Sequence, residues 1–360
     1  MLNESAMRRV WICLFIFFGI FSVRTGNAQS GGNGTYKFLD LPASARSAAL
    51  GGKMISVRDG DLSLVADNPA LLDSTMDNTA SLTYSSYVAD INFGYGTYAK
   101  HFTGTGTFSA GMQYINYGTF ERADEYGIRN GEFSAGEYAL DFSYSTPLSR
   151  HFTGGISAKM IYSAFDSYNS FGAAFDAGVH YQSEKDLFTA GMVLNNIGYQ
   201  ITPYVPDNRE SLPFEVSMAA SYKLDKAPLR FTFHAGNLQR PNLIYDQPAE
   251  GSPFLLPNGN IAVEPDERSG FSLENIMRHT TLSAEILPSD HFHIRFGFNY
   301  LRRAELSATE TSGGLAGFSL GTGFRISKFM FNYSLASYHL AGTTHFLTFA
   351  ANFNEFKRKG

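Results

Sequence analysis

Cysteine is almost absent from this sequence. The single cysteine among 360 residues is Cys13, and it lies inside an apolar stretch near the start of the chain. We therefore expect no disulfide, cysteine nucleophile or cysteine-based metal site in the rest of the chain. A lipid anchor is not expected either, because a lipoprotein carries its cysteine directly after a cleavage site, and Cys13 does not occupy such a position.

Long hydrophobic runs and a strong net charge are also lacking. After residue 28 no apolar run approaches the length of roughly eighteen residues that a membrane-spanning helix needs. Charged residues make up 17% of the chain and the net charge is −5, which is too mild to favour a nucleic acid as partner. The chain does hold 32 Phe, 20 Tyr and 35 Gly, with only one Trp. This composition is typical of an all-β protein in contact with lipid.

Residues 1–28 have the order of parts found in a secretory signal. Two arginines precede the apolar residues 10–23, and Gly26 and Ala28 occupy the −3 and −1 positions of a cleavage site before Gln29. The alternative is a membrane anchor, but a helix of this length rises only about 21 Å, against a hydrocarbon core of ~30 Å. The sequence therefore predicts a cleaved signal peptide and an exported protein.

Strand-like alternation is clearest near the C-terminus. Even positions of 292–300 are aromatic or aliphatic and odd positions are His, Arg, Gly and Asn; residues 229–236 and 329–336 alternate similarly. A soluble β-sandwich would alternate too, but its second face would be richer in charge. We therefore predict an all-β fold, a 14-stranded antiparallel transmembrane β-barrel. Phe296, Phe298, Phe331 and Phe349 are expected to face lipid, and Arg295, Asn299 and Asn332 the lumen.

The connections between the predicted strands alternate in length. Connections such as 102–104 and 225–227 are tight, whereas 122–132, 239–277 and 305–313 are long. Bacterial barrels have short periplasmic turns and long external loops, so this regular alternation supports the strand count. The predicted strands are 79–87, 90–102, 105–121, 133–146, 151–165, 170–183, 187–200, 212–224, 228–238, 278–288, 291–304, 314–326, 328–340 and 343–354.

The long loop 239–277 is the candidate surface for a partner. It contains five prolines and several acidic residues, and it could either bind a partner or merely cover the barrel. Periplasmic turns of a few residues offer little area, so a standard interface of ~800 Å² per side would have to use the long external loops. The candidate contact residues are Asn242, Phe254, Leu255, Asp266 and Glu267.

Residues 29–77 do not alternate, and we place the barrel at 78–360. A short helix is expected over 43–50, before a Gly-Gly pair, and Asn68 is expected to cap a second helical turn that begins with Pro69. A partly helical segment of this size fits inside the lumen as a plug. The alternative is a periplasmic leader beside the barrel.

The same segment resembles a known family. The stretches FLDLPASARSAALGG and DGDLSLVADNPALL, in this order, resemble the start of the PorV/PorQ proteins of the Bacteroidota type IX secretion system, distant relatives of the FadL channels. The resemblance covers nearly the whole chain after the signal and is strongest to the PorQ branch. The motif residues are Leu41, Pro42, Ala45, Arg46, Gly51, Gly52, Asn68, Pro69 and Ala70, and the resemblance implies structural roles for them.

The resemblance also implies a function. It implies an integral outer-membrane barrel that anchors a PorZ-like surface protein through its external loops, in a complex with PorU-like and PorV-like proteins. The alternative is a FadL-like channel for small hydrophobic molecules, which would need an apolar pocket in the lumen. Small and polar inward faces disfavour a long apolar tunnel but leave room for a short groove near the outer end.

No enzymatic site, metal site or cofactor is predicted. Residues 317–321 match the G-x-S-x-G pattern of hydrolases, but that pattern needs a strand-to-helix turn and here lies within an alternating strand. The inward charges are expected to pair with each other or with Arg46 and Asp61, because an unpaired buried charge is costly. These lumenal residues are Asp141, Lys159, Arg230, His234 and Arg295. The set fits either a polar ligand path or a filled lumen held by ion pairs.

Overall fold

The computed structural model of the protein describes residues 34–87, 91–123, 126, 128–244, 254–255, 261–262, 272–307, 314–339 and 342–357. The predicted signal peptide, residues 1–28, lies outside these ranges. No helix within the described ranges has both the length and the apolar character needed to cross a membrane.

Fourteen strands form a closed antiparallel barrel, which confirms the predicted fold. The barrel strands are β1 (Thr79–Ser86), β2 (Asn92–Phe102), β3 (Gly106–Ala123), β4 (Arg129–Pro147), β5 (Phe152–Phe165), β6 (Tyr168–Gln182), β7 (Phe188–Thr202), β8 (Glu215–Lys223), β9 (Leu229–Ala235), β12 (Thr280–Ser289), β13 (Phe292–Asn299), β14 (Phe318–Ile326), β15 (Phe329–His339) and β16 (Gly342–Asn352). The connection from β9 to β12 contains a short hairpin of β10 (Phe254–Leu255) and β11 (Ile261–Ala262). Pairing of β1 with β16 closes the barrel.

The two faces of the barrel differ as the alternation predicts. Phe296 and Phe331 point outward and are each 45% exposed, whereas Arg295 and Asn332 point inward and are 1% and 2% exposed. Phe298 also points outward but is only partly exposed, because its ring packs against an outward ring of β14. At these positions aromatic side chains therefore face outward and polar side chains face the lumen.

The N-terminal segment, residues 34–78, contains α1 (Ala45–Ala49) and four 3-10 turns. Ser44 caps α1, and its Oγ accepts a hydrogen bond from Ser47 N at 3.0 Å. The helix ends before Gly51, whose φ of +93° favours glycine. The helix is thus shorter than the predicted one over 43–50 but lies in the same place. The 3-10 turns are Lys37–Asp40, Leu62–Leu64, Pro69–Leu71 and Ser74–Met76.

This segment lies inside the barrel and contacts its wall, and we call it the plug. The backbone of Gly51 fills the space where Gly297 of β13 would carry a Cβ. Residues 68–70 fill the equivalent spaces beside Gly178 of β6 and Gly155 of β5. Glycines in the wall thus let the plug approach closely at three points, with its backbone at Gly297 and Gly155 and with the Asn68 side chain at Gly178. The alternative of a leader beside the barrel does not hold for these residues.

Three further helices flank strand ends. They are α2 (Leu273–Arg278) before β12, α3 (Tyr300–Ser307) after β13 and α4 (Asn354–Lys357) after β16. The strand predicted over 291–304 is therefore wrong at its end. The side-chain Oδ1 of Asn299 accepts a hydrogen bond from Arg302 N at 2.9 Å, so the chain turns into a helix where β13 ends.

The external loop predicted over 122–132 is also wrong. Strands β3 and β4 keep pairing as far as Ala123, opposite Arg129. The neighbouring strands β2 and β5 stop earlier. Residues 117–123 and 129–134 therefore form a two-stranded extension beyond the barrel wall, which we call the ribbon.

We expect Phe296→Arg to destabilise the barrel by ~2–4 kcal/mol, because the new charge would enter lipid near the middle of the membrane. The matched change Ile326→Arg, beside a tight turn at the end of β14, should cost only ~0–1 kcal/mol. Reversible urea unfolding in lipid vesicles measures both free energies. An equal loss of unfolding free energy in the two variants would contradict the membrane depths assigned to Phe296 and Ile326.

Candidate functional site: the plugged lumen and its outer end

The plug runs through the lumen from one end of the barrel to the other. It starts at the end with long connections, where Thr35 N donates to Ser211 O at 3.1 Å. It finishes at the end with tight turns, where Asp77 accepts hydrogen bonds from His101 N at 2.9 Å and from Asn354 Nδ2 at 2.8 Å. Long connections are extracellular in bacterial barrels, so we call the end where the plug begins the extracellular end and the opposite end the periplasmic end.

Six charged side chains tie the plug to the wall, and we call them the arginine cluster. The members are Arg46, Asp59 and Asp61 of the plug and Arg230, Glu285 and Arg295 of the wall. Arg46 lies 2.8 Å from Asp59 and 3.0 Å from Glu285. Glu285 is shared, because it also accepts hydrogen bonds from Arg230 at 2.8 Å and Arg295 at 3.1 Å. Three positive and three negative charges therefore balance inside the lumen.

The arginine cluster is largely closed to water, and Asp59 is its most exposed member. The side chains of Arg46 and Glu285 are 3% and 1% exposed, whereas that of Asp59 is 32% exposed. Burial alone would raise the pKa of Asp59, but the charges of Arg46 and Arg230 hold that pKa well below its usual value. Asp59 is therefore ionised at neutral pH. Removing one partner from such a set leaves an uncompensated buried charge, so the cluster strongly favours the plugged arrangement.

A second group of polar side chains lies beside the plug. Lys159 pairs with Asp176 at 2.8 Å. Lys53 of the plug pairs with Glu215 of β8. Asp141 is buried and accepts a long hydrogen bond, 3.4 Å, from a tyrosine hydroxyl. The cavity lined by Lys53, Asp141, Lys159 and Asp176 measures about 20 Å³, which is room for about one water molecule. Between these groups the lumen is therefore filled.

The five lumenal residues predicted from the sequence lie on inward faces of their strands. Lys159, Arg230 and Arg295 form ion pairs, Asp141 accepts the hydrogen bond from tyrosine, and His234 is buried opposite a threonine of β12. The sequence analysis missed Glu285, the acceptor shared by three arginines. Glu285 pairs directly with Arg230 on one side and Arg295 on the other, and this register is visible only once the strands are paired.

The family-motif residues build the plug and attach it to the wall. Asn68 Oδ1 accepts a hydrogen bond from Ala70 N at 3.0 Å, and its Nδ2 donates to Ile55 O at 2.8 Å. Ala45 N donates to Thr348 Oγ1 of β16 at 2.8 Å. These contacts stabilise one conformation and one position of the plug.

An apolar cluster fills the extracellular end of the lumen, and we call it the mouth cluster. It joins Phe38 of the plug to the inward-facing Phe93, Ile115 and Phe346, each at most 5% exposed. Its partly exposed members are Leu41, Tyr87, Ile91, Tyr117 and Tyr338. The expectation of small, polar inward faces is wrong at this end, because aromatic residues here alternate inward. The result is an apolar cluster with partly exposed members at this end of the lumen.

Polar atoms without partners lie beside the mouth cluster. The guanidinium carbon of Arg302 on α3 lies 3.9 Å from the centre of the Tyr338 ring, and its Nη2 donates to Gly51 O at 3.1 Å. Nη1 of Arg302 and the hydroxyls of Tyr87 and Tyr338 are buried and have no hydrogen-bond partner among the described residues. Buried polar atoms normally have partners, so these three call for an explanation. A ligand with an apolar body and an oxygen-bearing head would satisfy them.

Comparisons with known proteins identify the fold. No model of a protein family matches the chain, and no curated protein matches it in sequence. The toluene transporter TbuX of Ralstonia pickettii is 13% identical, with a TM-score of 0.51 over 88% of this chain and 99% of the transporter. The toluene transporter TodX of Pseudomonas putida is 11% identical, with a TM-score of 0.50 over 86% of this chain and 96% of TodX. The chain therefore shares the fold of these two transporter barrels.

The hydrolase-like pattern at 317–321 carries no catalytic arrangement. Ser319 lies within β14 and donates a hydrogen bond to Ala49 O of the plug at 2.9 Å. The described residues also contain no group of three or more His, Cys, Asp or Glu side chains placed to hold a metal ion.

The candidate partner loop is described only in part. Asn242 is exposed, and its Oδ1 accepts a hydrogen bond from Ile244 N at 2.9 Å. Phe254 and Leu255 form the strand β10 of the short hairpin. Asp266 and Glu267 lie outside the described residues. The prediction that these five residues contact a partner therefore stays a prediction.

We expect Glu285→Gln to destabilise the protein by ~3–5 kcal/mol, because three arginines would then share a neutral amide. The control Glu184→Gln breaks an exposed pair with Arg150, 3.4 Å long, and should cost no more than ~1 kcal/mol. Samples are heated in steps and run on a gel without further heating. The temperature at which the band of the folded barrel disappears ranks the variants. If both variants behaved like the wild type, the arginine cluster would not be holding the plug.

Proposed function

We propose that the protein is an integral outer-membrane channel of the FadL type that binds a small hydrophobic molecule at the mouth cluster. The observation that carries this proposal is the apolar mouth beside three partnerless polar atoms of Tyr87, Arg302 and Tyr338. Binding sites commonly combine a largely apolar lining with a few polar groups that orient the ligand. The toluene transporters that share the fold support the same class of ligand.

The polar atoms indicate the chemistry of the ligand's head. Arg302 offers a cationic donor, and the tyrosine hydroxyls can each donate one hydrogen bond. Three donors at one side of an apolar surface suit a carboxylate or another oxygen-rich head group. An amphipathic ligand would place its apolar tail against Phe93 and Phe346.

A ligand can pass beyond the mouth cluster only if the plug changes its position or conformation. The arginine cluster and the filled polar cavity block the middle of the lumen. A ligand bound at the mouth contacts Leu41 and lies near Arg302, which holds Gly51 of the plug. The described arrangement is therefore the closed form of the proposed channel.

Ligand titration of the purified protein tests this proposal. We expect decanoate and toluene both to bind, and Arg302→Gln to weaken decanoate roughly tenfold, since a hydrogen bond to a charged group is worth about 1.5–3 kcal/mol. Tyr87→Phe should weaken decanoate while leaving toluene unchanged. Arg325→Gln, at the periplasmic end, is the matched control and should change neither affinity. Failure of the wild type to bind either compound would reject the proposal.

A second candidate is the anchoring function that the motif resemblance implies. In it, the barrel holds a PorZ-like surface protein of the type IX attachment complex, together with PorU-like and PorV-like proteins. The observation that favours it is the ribbon, which extends the barrel wall into the extracellular space. At its tip Tyr126 and Ile128 are 81% and 63% exposed. Phe120 and Phe133 stack on the ribbon with ring centres 5.3 Å apart.

The edge of the ribbon suits strand addition. Asn116 of β3 pairs with Asn92, the first residue of β2, so residues 117–123 pair only with β4 in the described part of the chain. Open strand edges are templates for a partner strand, and exposed aromatic residues are typical anchors of interfaces. The ribbon therefore adds a second candidate surface to the loop 239–277.

Shortened variants test the anchor. Replacing residues 242–267 with a Gly/Ser link, or residues 121–131 with a two-residue turn, should leave a folded barrel that recovers less of a surface partner from detergent extracts. The control replaces the periplasmic turn 183–186 with a Gly-containing turn and should recover the partner as the wild type does. Recovery of the same protein by all variants would exclude both surfaces as the anchor.

A further inference from the structure

An apolar groove runs along the lipid-facing side of the barrel wall, across β16 and β1 to β4. Its volume is about 600 Å³. Small residues form its floor, and a Cβ added to Gly96 would contact only the tip of Leu82, at 3.5 Å. Larger outward side chains, Met112 and Phe349 among them, form its walls. The groove therefore results from small residues placed among large ones on the outward face.

The groove lies in the periplasmic half of the barrel. Ala80 of its floor is the second residue of β1, and it pairs with Ala351 near the end of β16. Both strand ends lie at the end of the barrel that carries the tight turns. An apolar recess at this depth faces the acyl chains of the periplasmic leaflet and not water.

A row of aromatic rings connects the groove to a cation. Phe353 lines the groove, and its ring centre lies 6.0 Å from that of Phe356 on α4. The ammonium of Lys328, in the tight turn between β14 and β15, lies 3.1 Å from the centre of the Phe356 ring and 5.7 Å from that of Phe329. Within the described residues Lys328 forms no ion pair, in contrast to Lys100 at the same end, which pairs with Asp77 at 3.1 Å.

We infer that this surface binds one phospholipid with an anionic head group. An acyl chain occupies the groove over Gly96, and the head-group phosphate lies near Lys328. The apolar recess and the cation at the membrane boundary match the two ends of such a lipid in chemistry and in depth. The inference is independent of the ligand at the mouth cluster, which lies at the opposite end of the lumen.

Native mass spectrometry of the full-length protein in detergent, with phosphatidylglycerol added, tests the inference. We expect the wild type to retain one phosphatidylglycerol, and Gly96→Leu to lower the retained fraction by roughly fivefold or more because the leucine fills the groove. Ala220→Leu, an outward position on the opposite wall, is the matched control and should retain the lipid as the wild type does. Equal retention by the wild type and Gly96→Leu would overturn the inference. If Gly96→Leu does not fold, as judged by gel mobility, Ala110→Leu replaces it with the same expected loss.

A variant without the charge of Lys328 tests whether this residue binds the lipid head group. The wild type should prefer phosphatidylglycerol to phosphatidylethanolamine, and Lys328→Gln should abolish this preference. Lys226→Gln, in another periplasmic turn, carries the same charge change and should keep the preference. A preference that Lys328→Gln leaves intact, or that the wild type lacks, would overturn the assignment of the phosphate to Lys328.

Discussion

The carboxylate of Glu285 is the contact on which the arrangement of the lumen depends. It accepts from Arg230 and Arg295 of the wall and from Arg46 of the plug, so it joins two structures that are far apart in the chain. Without the plug, two wall arginines would share a single acid inside a narrow lumen, and the buried charges would not balance. The plug, in turn, brings Phe38 beneath the mouth cluster and Gly51 beside Arg302. The shape of the extracellular site thus follows from an ion-pair cluster below it.

Much of this fold can be predicted from the sequence, because lipid imposes a simple rule on a closed sheet. Side chains alternate between lipid and lumen along a strand, so Phe296 and Arg295 can be assigned to a face from their even and odd positions alone. The alternation does not reveal which side chains form ion pairs across strands. Glu285 is recognised as the shared acceptor only through the register that places it between Arg230 and Arg295. Hydrophobicity does not separate aromatic residues by face, since Phe93 and Phe346 are as hydrophobic as the outward phenylalanines yet lie inside. The mouth cluster therefore required the three-dimensional structure.

The two candidate functions place different demands on the plug. A channel needs the plug to move, and the paired charges of the arginine cluster set the cost of that movement. An anchor needs only a stable wall and an extracellular surface, and a fixed plug makes the wall more rigid. The partnerless Nη1 of Arg302 argues for a ligand at the mouth, and the ribbon argues for a partner outside. Both depend on a plug that lies within the lumen.

A designed disulfide tests the position of the plug most directly. Ser56 Oγ of the plug and Ser221 Oγ of β8 lie 2.7 Å apart, and the chain has no cysteine besides Cys13 of the predicted signal. We expect the double variant Ser56→Cys/Ser221→Cys to form a disulfide in cells without added oxidant, as peptide mass mapping would detect. The control Ser56→Cys/Ala220→Cys, which places the second thiol on the lipid-facing side, should keep free thiols. Free thiols in both variants, or a disulfide in both, would contradict a plug seated in the lumen.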